Sequence, residues 1–335
     1  MVVATNVATD RAAGSADADN DRIKRGGSRR RQLQIAIGLV WVFVGFLQLQ
    51  PFMFGKSFVT TLEGTTVGQA QWIKSSVNWV FGNIVIHHFT LYNALFATIQ
   101  LVIGLLILFR PTVKFGLLVS IPWSLAVWWF GEAFGGLWGG AMPVMGYPGA
   151  VLIYALIAVL VWPRESEPES ASESASVATG GVLGASGARV LWAVFWLASA
   201  RFTLLAANRS PGALAAAVAG MGDGEPQWIK EIDTHIARDV LNHHGTEWSI
   251  VLALLFAFAG VAIFVPRLVR AAVVVTVALG VAIWIVEDFG AIFTSQGTDP
   301  NSGLLIVLFA LCYWPLQHRL LPRRSGHARL TTGRL

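Results

Sequence analysis

Two histidine pairs are among the residues of this sequence whose type and spacing could do chemistry. His87 and His88 recur 156 residues later as His243 and His244. Imidazole titrates near neutral pH and is a common ligand of metals and of haem iron. The pairs could therefore ligate a metal or a haem, or exchange protons with a quinone. The alternative is a pair of histidines at the membrane surface, bonded to water and lipid headgroups.

Three carboxylates form a second matched set. Glu132 is followed 155 residues later by Glu287 and Asp288, and each position closes a long apolar run. The segments that follow, 135–149 and 290–303, are rich in glycine and proline. Interrupted segments at corresponding positions of two halves are typical of a substrate cavity, because irregular backbone at membrane depth must be buried or line water. The spacing predicts an outward-facing cavity between the two halves; solvated charges at helix ends are the alternative.

Arg201 and two tryptophans complete the candidate residues. Arg201 lies well inside an apolar run, so it either extends toward the outer surface or pairs with Glu287, Asp288 or an anionic ligand group. Trp72 and Trp228 belong to copies of the same tetrapeptide, Gln-Trp-Ile-Lys, in two amphipathic segments. The pattern predicts interfacial helices with tryptophan anchors, or a lid over the cavity.

Transmembrane helices must position these residues. The chain is 55% hydrophobic and 13% charged, with a mean hydropathy of +0.60, which a soluble domain of 335 residues does not show. Apolar runs near the ~20 residues needed to cross a bilayer predict an all-α membrane protein of about eight spans. The predicted spans are 33–54, 88–109, 113–131, 147–162, 189–207, 247–265, 269–287 and 302–317.

The matched motifs divide these spans into two parallel four-helix repeats, 33–163 and 189–318. A polar segment, 164–188, has too few large apolar residues to fold and is predicted to be a disordered cytoplasmic linker. Residues 1–32 are predicted to form a disordered cytoplasmic tail, and 319–335 a basic one.

Lysine and arginine cluster on one side of the alternating spans, which predicts a multi-pass cell-membrane protein with both termini in the cytoplasm. Since the net charge of +5 is explained by orientation, the lipid bilayer and other membrane proteins are the expected partners, and nucleic acid is not. Cys312 is the only cysteine, which excludes a disulfide framework. No GxSxG, HExxH, Walker A or strand-to-helix GxGxxG signature is present.

Each half resembles the DoxX/DoxD-like family of four-helix membrane proteins. The first half has a Gly-containing first helix (residues 38–45), an outer loop with a short Trp helix, then a second apolar helix (100–108) and a tight basic turn. The chain departs from the family pattern at Gln48, Gln100 and Phe256, where members often carry charged residues. The resemblance implies a quinone-linked or other redox role in a membrane.

Three functions follow from these patterns. The first is a DoxX-like protein whose cavity serves a quinone, a haem or a lipid. The second is a small-solute or lipid transporter, for which parallel repeats and broken helices are equally natural. The third is a non-catalytic scaffold subunit of a membrane complex. The sequence identifies no catalytic residue, and whether the protein is an enzyme stays open.

Overall fold

The computed structural model describes residues 28–140, 142–163, 181–222, 224–242 and 244–315. These residues are helical, without strands, and the principal helices are α1 to α12 in chain order. The helices are α1 (Ser28–Leu47), α2 (Lys56–Gly64), α3 (Gln71–Val80), α4 (Phe89–Leu108), α5 (Val113–Phe130), α6 (Ala150–Leu160), α7 (Gly184–Thr203), α8 (Ala213–Met221), α9 (Gln227–His235), α10 (Gly245–Ala262), α11 (Val269–Val286) and α12 (Asn301–Leu311).

Six of the described helices are long and apolar enough to cross a membrane: α1, α4, α5, α7, α10 and α11. The other two apolar helices, α6 and α12, have 11 residues each. That length corresponds to about 16 Å, well short of a ~30 Å hydrocarbon layer. A multi-pass, all-helical protein is therefore confirmed with six candidate spans, and the full count of eight stays a prediction.

Two helices begin earlier than the apolar pattern predicts. Helix α1 starts at Ser28 instead of 33, and α7 at Gly184 instead of 189. Arg31 in the first turns of α1 donates hydrogen bonds to the carbonyl oxygens of Ile107 (3.1 Å) and Leu108 at the end of α4. The polar start of α1 is thus held as helix by bonds that hydropathy does not register. The remaining parts of the predicted tails and linker lie outside the described residues.

The core lies where the long helices surround the short ones. Helix α6 packs on α5, α12 packs on α11, and α6 and α12 contact each other between the two halves. Large aromatic side chains fill this centre: Trp192 stacks on Phe309 with ring centroids 5.6 Å apart, and Trp41 lies 4.5 Å from Tyr154. The short helices are therefore internal elements, and the long helices form the outer wall.

Helices α1 and α4 approach closely because glycine occupies their crossing. A Cβ atom on Gly104 would lie 2.8 Å from the carbonyl oxygen of Gly38 and 2.7 Å from the backbone nitrogen of Val42. Small residues at such crossings are typical of membrane helices, whose association depends on close packing. This contact fixes the two helices that form one side of the cavity described below.

Candidate functional site

A left-handed turn follows both α5 and α11. Four consecutive residues have positive φ after each helix: 45°, 61°, 60° and 78° over 133–136, and 51°, 58°, 80° and 54° over 288–291. Runs of this kind are rare, since L-residues pay about 1–2 kcal/mol each in this conformation. The turn reverses the chain, so the glutamate just before it faces the start of the next short helix.

Each glutamate accepts hydrogen bonds from that short helix. The Val151 backbone N–H donates to the two Glu132 carboxyl oxygens at 3.2 and 3.3 Å. The Gly303 N–H donates to Glu287 Oε2 at 2.9 Å, and the Ser302 hydroxyl donates to Glu287 Oε1. These amides belong to the first helical turn, where N–H groups lack partners within the helix. Glu287 exposes only 1% of its surface, so it is a buried helix cap and not a solvated charge.

A cavity of about 270 Å³ lies beside Glu132. Its walls are mainly apolar and come from α1, α2, α4, α5, α6 and the segment after α3. The lining residues with a polar or ionisable group include Trp41, Gln48, Gln100, Trp123, Glu132, Tyr154 and Asp299. The cavity lies mainly inside the first half, and Thr298 and Asp299 of the second half close one side, so residues of both halves line it.

Four of the lining residues carry a buried polar atom without a hydrogen-bond partner. These atoms are the indole nitrogens of Trp41 and Trp123, the Tyr154 hydroxyl and Gln100 Oε1. Gln48 differs, because its Nε2 donates to Asn93 Oδ1, and Asn93 Nδ2 donates back to the Gln48 carbonyl oxygen at 2.9 Å. A buried donor or acceptor left unpaired costs about 1–3 kcal/mol, so such a set on one cavity is a feature of a binding site.

Each irregular segment reaches across to the opposite half. Asp299, on the segment before α12, lines the cavity that contains Glu132. In return, a Cβ atom on Gly146, on the segment before α6, would lie 3.6 Å from Glu287 Oε1. The neighbouring Tyr147 stacks on Phe202 of α7, with ring centroids 4.4 Å apart. The cavity is therefore complete only when both halves are present.

Burial shifts the ionisation of the acids beyond the ends of α5 and α11 to higher pH. Burial raises the pKa of Glu132 well above its ordinary value, and repulsion from Asp299 raises it further, against the hydrogen bonds from the backbone of Val151 and Ala150. Burial raises the pKa of Asp299 to about 6 and that of Glu287 to about 8. Because desolvation disfavours the charged carboxylate, burial favours the neutral form of both Glu132 and Glu287.

A second cluster of acidic side chains lies where α9 covers the turn after α11; the position of this cluster is called the outer layer of the second half. Asp233 of α9 and Asp288 are each 1% exposed, and Glu225 is 6% exposed. Burial raises the pKa of Asp288 to about 8, with further increases from Asp233 and then Glu225. Burial also raises the pKa of Asp233. Among the described residues, however, no three histidine, cysteine or acidic side chains are arranged to hold a metal ion.

The structure does not bring the predicted histidines to the cavity. His87, His88 and His244 are exposed near the starts of α4 and α10, and none of them lines the cavity. His243 lies outside the described residues. Arg201 is exposed, whereas Glu287 and Asp288 are buried, and no ion pair joins it to either acid in the described part of the chain. This position fits the extended orientation predicted for Arg201.

The predicted anchors, Trp72 and Trp228, are about half exposed and pack on the left-handed turns. Trp72 lies 5.6 Å from the Phe134 ring and 5.5 Å from Trp138. Trp228 lies 6.1 Å from Phe289. The amphipathic helices α3 and α9 thus cover the turns that orient the two glutamates, and each tryptophan exposes about half of its surface, 50% for Trp72 and 48% for Trp228.

Sequence reasoning missed several cavity residues. Asp299 was visible as the acid before Pro300 in a segment already identified as irregular, but its association with Glu132 depends on the crossing of the segments. Trp41, Trp123 and Tyr154 lie in apolar runs, where aromatic residues normally mark the core. No family model, curated protein or solved structure matches the chain.

Proposed function

We propose that this chain is a DoxX-like membrane protein whose cavity binds a quinone, or an apolar molecule built like one, with carbonyl oxygens on a flat apolar body. The observation that carries the proposal is the set of unpartnered donors on the apolar cavity wall. Two indole N–H groups and a phenol are donors that a carbonyl oxygen satisfies. Gln100 and the neutral Glu132 supply further polarity at the same wall.

A haem fits the cavity less well than a quinone. Haem iron in proteins is held by an axial histidine, cysteine, methionine or tyrosine. The described lining residues include no histidine, cysteine or methionine, and Tyr154 is buried and contacts Trp41. A haem held by His87, His88 or His244 would have to bind near the starts of α4 and α10, where these three side chains are exposed.

We further propose that the chain arose by tandem duplication, with parallel halves and both termini in the cytoplasm of the cell. Matched helix lengths support this: 20 and 20 residues for α1 and α7, 18 and 18 for α5 and α11, and 11 and 11 for α6 and α12. The paired left-handed turns and the paired glutamate caps support it as well. The clustering of basic residues supports the orientation.

The proposed duplication is asymmetric in its cavity. Phe256, 156 residues after Gln100, stacks on Trp196 with centroids 5.5 Å apart. Tyr147, which precedes Pro148 as Asp299 precedes Pro300, stacks on Phe202. The place in the second half that corresponds to the cavity is thus occupied by two aromatic rings, Phe256 and the Tyr147 ring that reaches across from the first half. The cavity itself has the Gln100 amide and the Asp299 carboxyl group there. This difference favours one ligand for each chain.

The proposal is tested by purifying the protein in mild detergent, recording its visible spectrum and extracting it for mass spectrometry. We expect a quinone in a one-to-one ratio with wild type, lost in Gln100→Phe, which places the second half's side chain in the cavity. Val102→Phe is the matched control, since Val102 is 46% exposed on the opposite side of α4. It should retain the quinone.

Other results would redirect or refute the proposal. Phospholipid in place of quinone, lost in the same variant, would favour lipid binding or transport. A Soret band that disappears when His87, His88, His243 and His244 are replaced by alanine would favour haem. Protein without any bound small molecule, unchanged by Gln100→Phe, would contradict the binding proposal.

A further inference from the structure

Two carboxyl groups from different halves line the same cavity. Glu132 follows α5 of the first half, and Asp299 precedes α12 of the second. One Asp299 oxygen, Oδ1, accepts a hydrogen bond from the Asn301 backbone N–H at 2.6 Å. Glu132 likewise has backbone amides as its donors. No lysine, arginine or histidine of the described residues lines the cavity beside either acid, and repulsion from Asp299 raises the pKa of Glu132.

The groups around this pair do not supply a counter-charge. Tyr154 of α6 lines the same cavity, and Glu287 at the end of α11 adds a weaker repulsion. No lysine, arginine or histidine is among the described lining residues. In such surroundings two nearby carboxylates cannot both ionise without a large penalty, so they titrate as a pair that keeps a proton.

We propose that Glu132 and Asp299 titrate as a pair that keeps one proton at the cavity wall, and that binding of a carbonyl-bearing ligand is coupled to that proton. A protonated carboxyl group donates a hydrogen bond to the ligand's carbonyl oxygen. A fully ionised pair has only acceptor oxygens, which repel the same carbonyl. When the pair loses its last proton to solvent, affinity falls. The proposal rests on the ligand class proposed above and adds its regulation by pH.

The direction of the pH dependence follows from the two acids. Asp299 ionises first, near its pKa of about 6, and Glu132 retains its proton longer because burial and the charge of Asp299 raise its pKa. Binding should thus be strongest at low pH and weaken on the alkaline side. Linkage to one proton limits the loss of affinity to about tenfold per pH unit.

The experiment uses decylubiquinone as the probe, because the oxidised form of this quinone does not titrate between pH 5 and 9. Binding to the full chain is followed by quenching of tryptophan fluorescence, since Trp41 and Trp123 line the cavity. Proton uptake on binding is measured with an indicator dye in weak buffer. Wild type should bind with an affinity that falls at least tenfold toward pH 9 and with proton uptake at alkaline pH.

Glu132→Gln combined with Asp299→Asn fixes both groups in a neutral form of nearly the same shape. This variant should bind the probe with an affinity constant within twofold from pH 5 to 9 and without proton uptake. If the double variant does not fold, Asp299→Asn alone serves as the test. It should move the fall in affinity to lower pH, because Glu132 loses a repulsive neighbour. Asp288→Asn is the control, a buried acid outside the cavity, and should keep the wild-type profile.

The outcomes separate the two proposals. Wild type that binds equally well from pH 5 to 9 would overturn proton coupling and leave the binding proposal intact. Pronounced pH dependence that survives in the double variant would also overturn the coupling. Wild type that fails to bind the probe at any pH would overturn the quinone proposal and the coupling with it.

Discussion

Replacing Gly135 with alanine tests whether the left-handed turn sets the position of the cavity acid. Gly135 has φ +60°, and a Cβ atom there would lie 2.1 Å from the Pro148 carbonyl oxygen and 2.2 Å from its carbon. The same carbonyl oxygen accepts a hydrogen bond from the Trp128 indole at 2.6 Å. The added methyl group therefore meets fixed backbone two residues before α6, and not the end of a flexible side chain.

Two effects should lower the free energy of unfolding of the Gly135→Ala variant. Alanine in the left-handed region costs about 1–2 kcal/mol, and overpacking against backbone costs about 1–3 kcal/mol more. Gly135→Ala should thus lower the free energy of unfolding by about 2–5 kcal/mol. Gly140→Ala is the matched control in the same segment, because Gly140 has φ +77° and no atom within 4 Å of its Cβ position. Gly140→Ala should lower the free energy of unfolding only by the cost of alanine in the left-handed region, about 1–2 kcal/mol.

The assay is unfolding by sodium dodecyl sulfate, followed by circular dichroism, for wild type and both variants. Gly135→Ala should also weaken binding of the quinone probe. Moving Pro148 displaces Val151, whose backbone N–H donates a hydrogen bond to the Glu132 carboxyl group, and so shifts that carboxyl group. Equal unfolding free energies for the two variants would refute the close approach of the turn to Pro148. Unchanged probe binding in a destabilised Gly135→Ala protein would refute the link from the turn to the acid.

Three further predictions concern separate parts of the molecule. Tyr154→Phe should change the unfolding free energy by less than about 1 kcal/mol, because the hydroxyl has no partner, yet weaken probe binding about five- to thirtyfold in the fluorescence titration. Folding raises the pKa of Asp288 to about 8, so this group should lower wild-type stability as pH rises from about 4 to 8; Asp233→Val with Asp288→Ala should make the fall in stability smaller in unfolding titrations from pH 4 to 9, and the part that Glu287 and Asp299 contribute should remain. In intact cells, an impermeant maleimide should label Ser75→Cys and not Pro111→Cys, while buried Cys312 stays unlabelled; the reverse pattern would invert the proposed orientation.

The sequence was sufficient for the elements that depend on hydropathy and on matched motifs. The six long helices lie close to their predicted positions, since a bilayer requires long apolar runs. Glu132 and Glu287 were identified through their place before Gly- and Pro-rich segments, and both lie at the turn into a short helix. Helix starts were less predictable, because Arg31 is held in α1 by hydrogen bonds to α4.

The cavity could not be predicted to the same extent. Histidine pairs repeat at the right spacing, but spacing along a chain does not tell which side of a membrane helix faces inward, and the described histidines are exposed. Asp299 lines the same cavity as Glu132 because its segment crosses from the second half to the first, a tertiary arrangement without a local sequence signal. The aromatic lining residues have the composition of an ordinary core, and only the folded structure shows that their unpartnered polar atoms lie on one cavity.

Two buried acids of the second half, Asp233 and Asp288, occupy positions that are apolar in the first half. In the first half, Val77 and Ala133 fill the outer layer with hydrocarbon, and both are fully buried. At the same spacings the second half has Asp233 and Asp288, which are also buried and whose carboxyl oxygens have no hydrogen-bond partner among the described residues. Hydrocarbon would fill this space at lower cost, since buried ionisable groups seldom add net stability. The acids in the outer layer of the second half therefore indicate a constraint other than packing, as the Glu132 and Asp299 pair does in the cavity of the first.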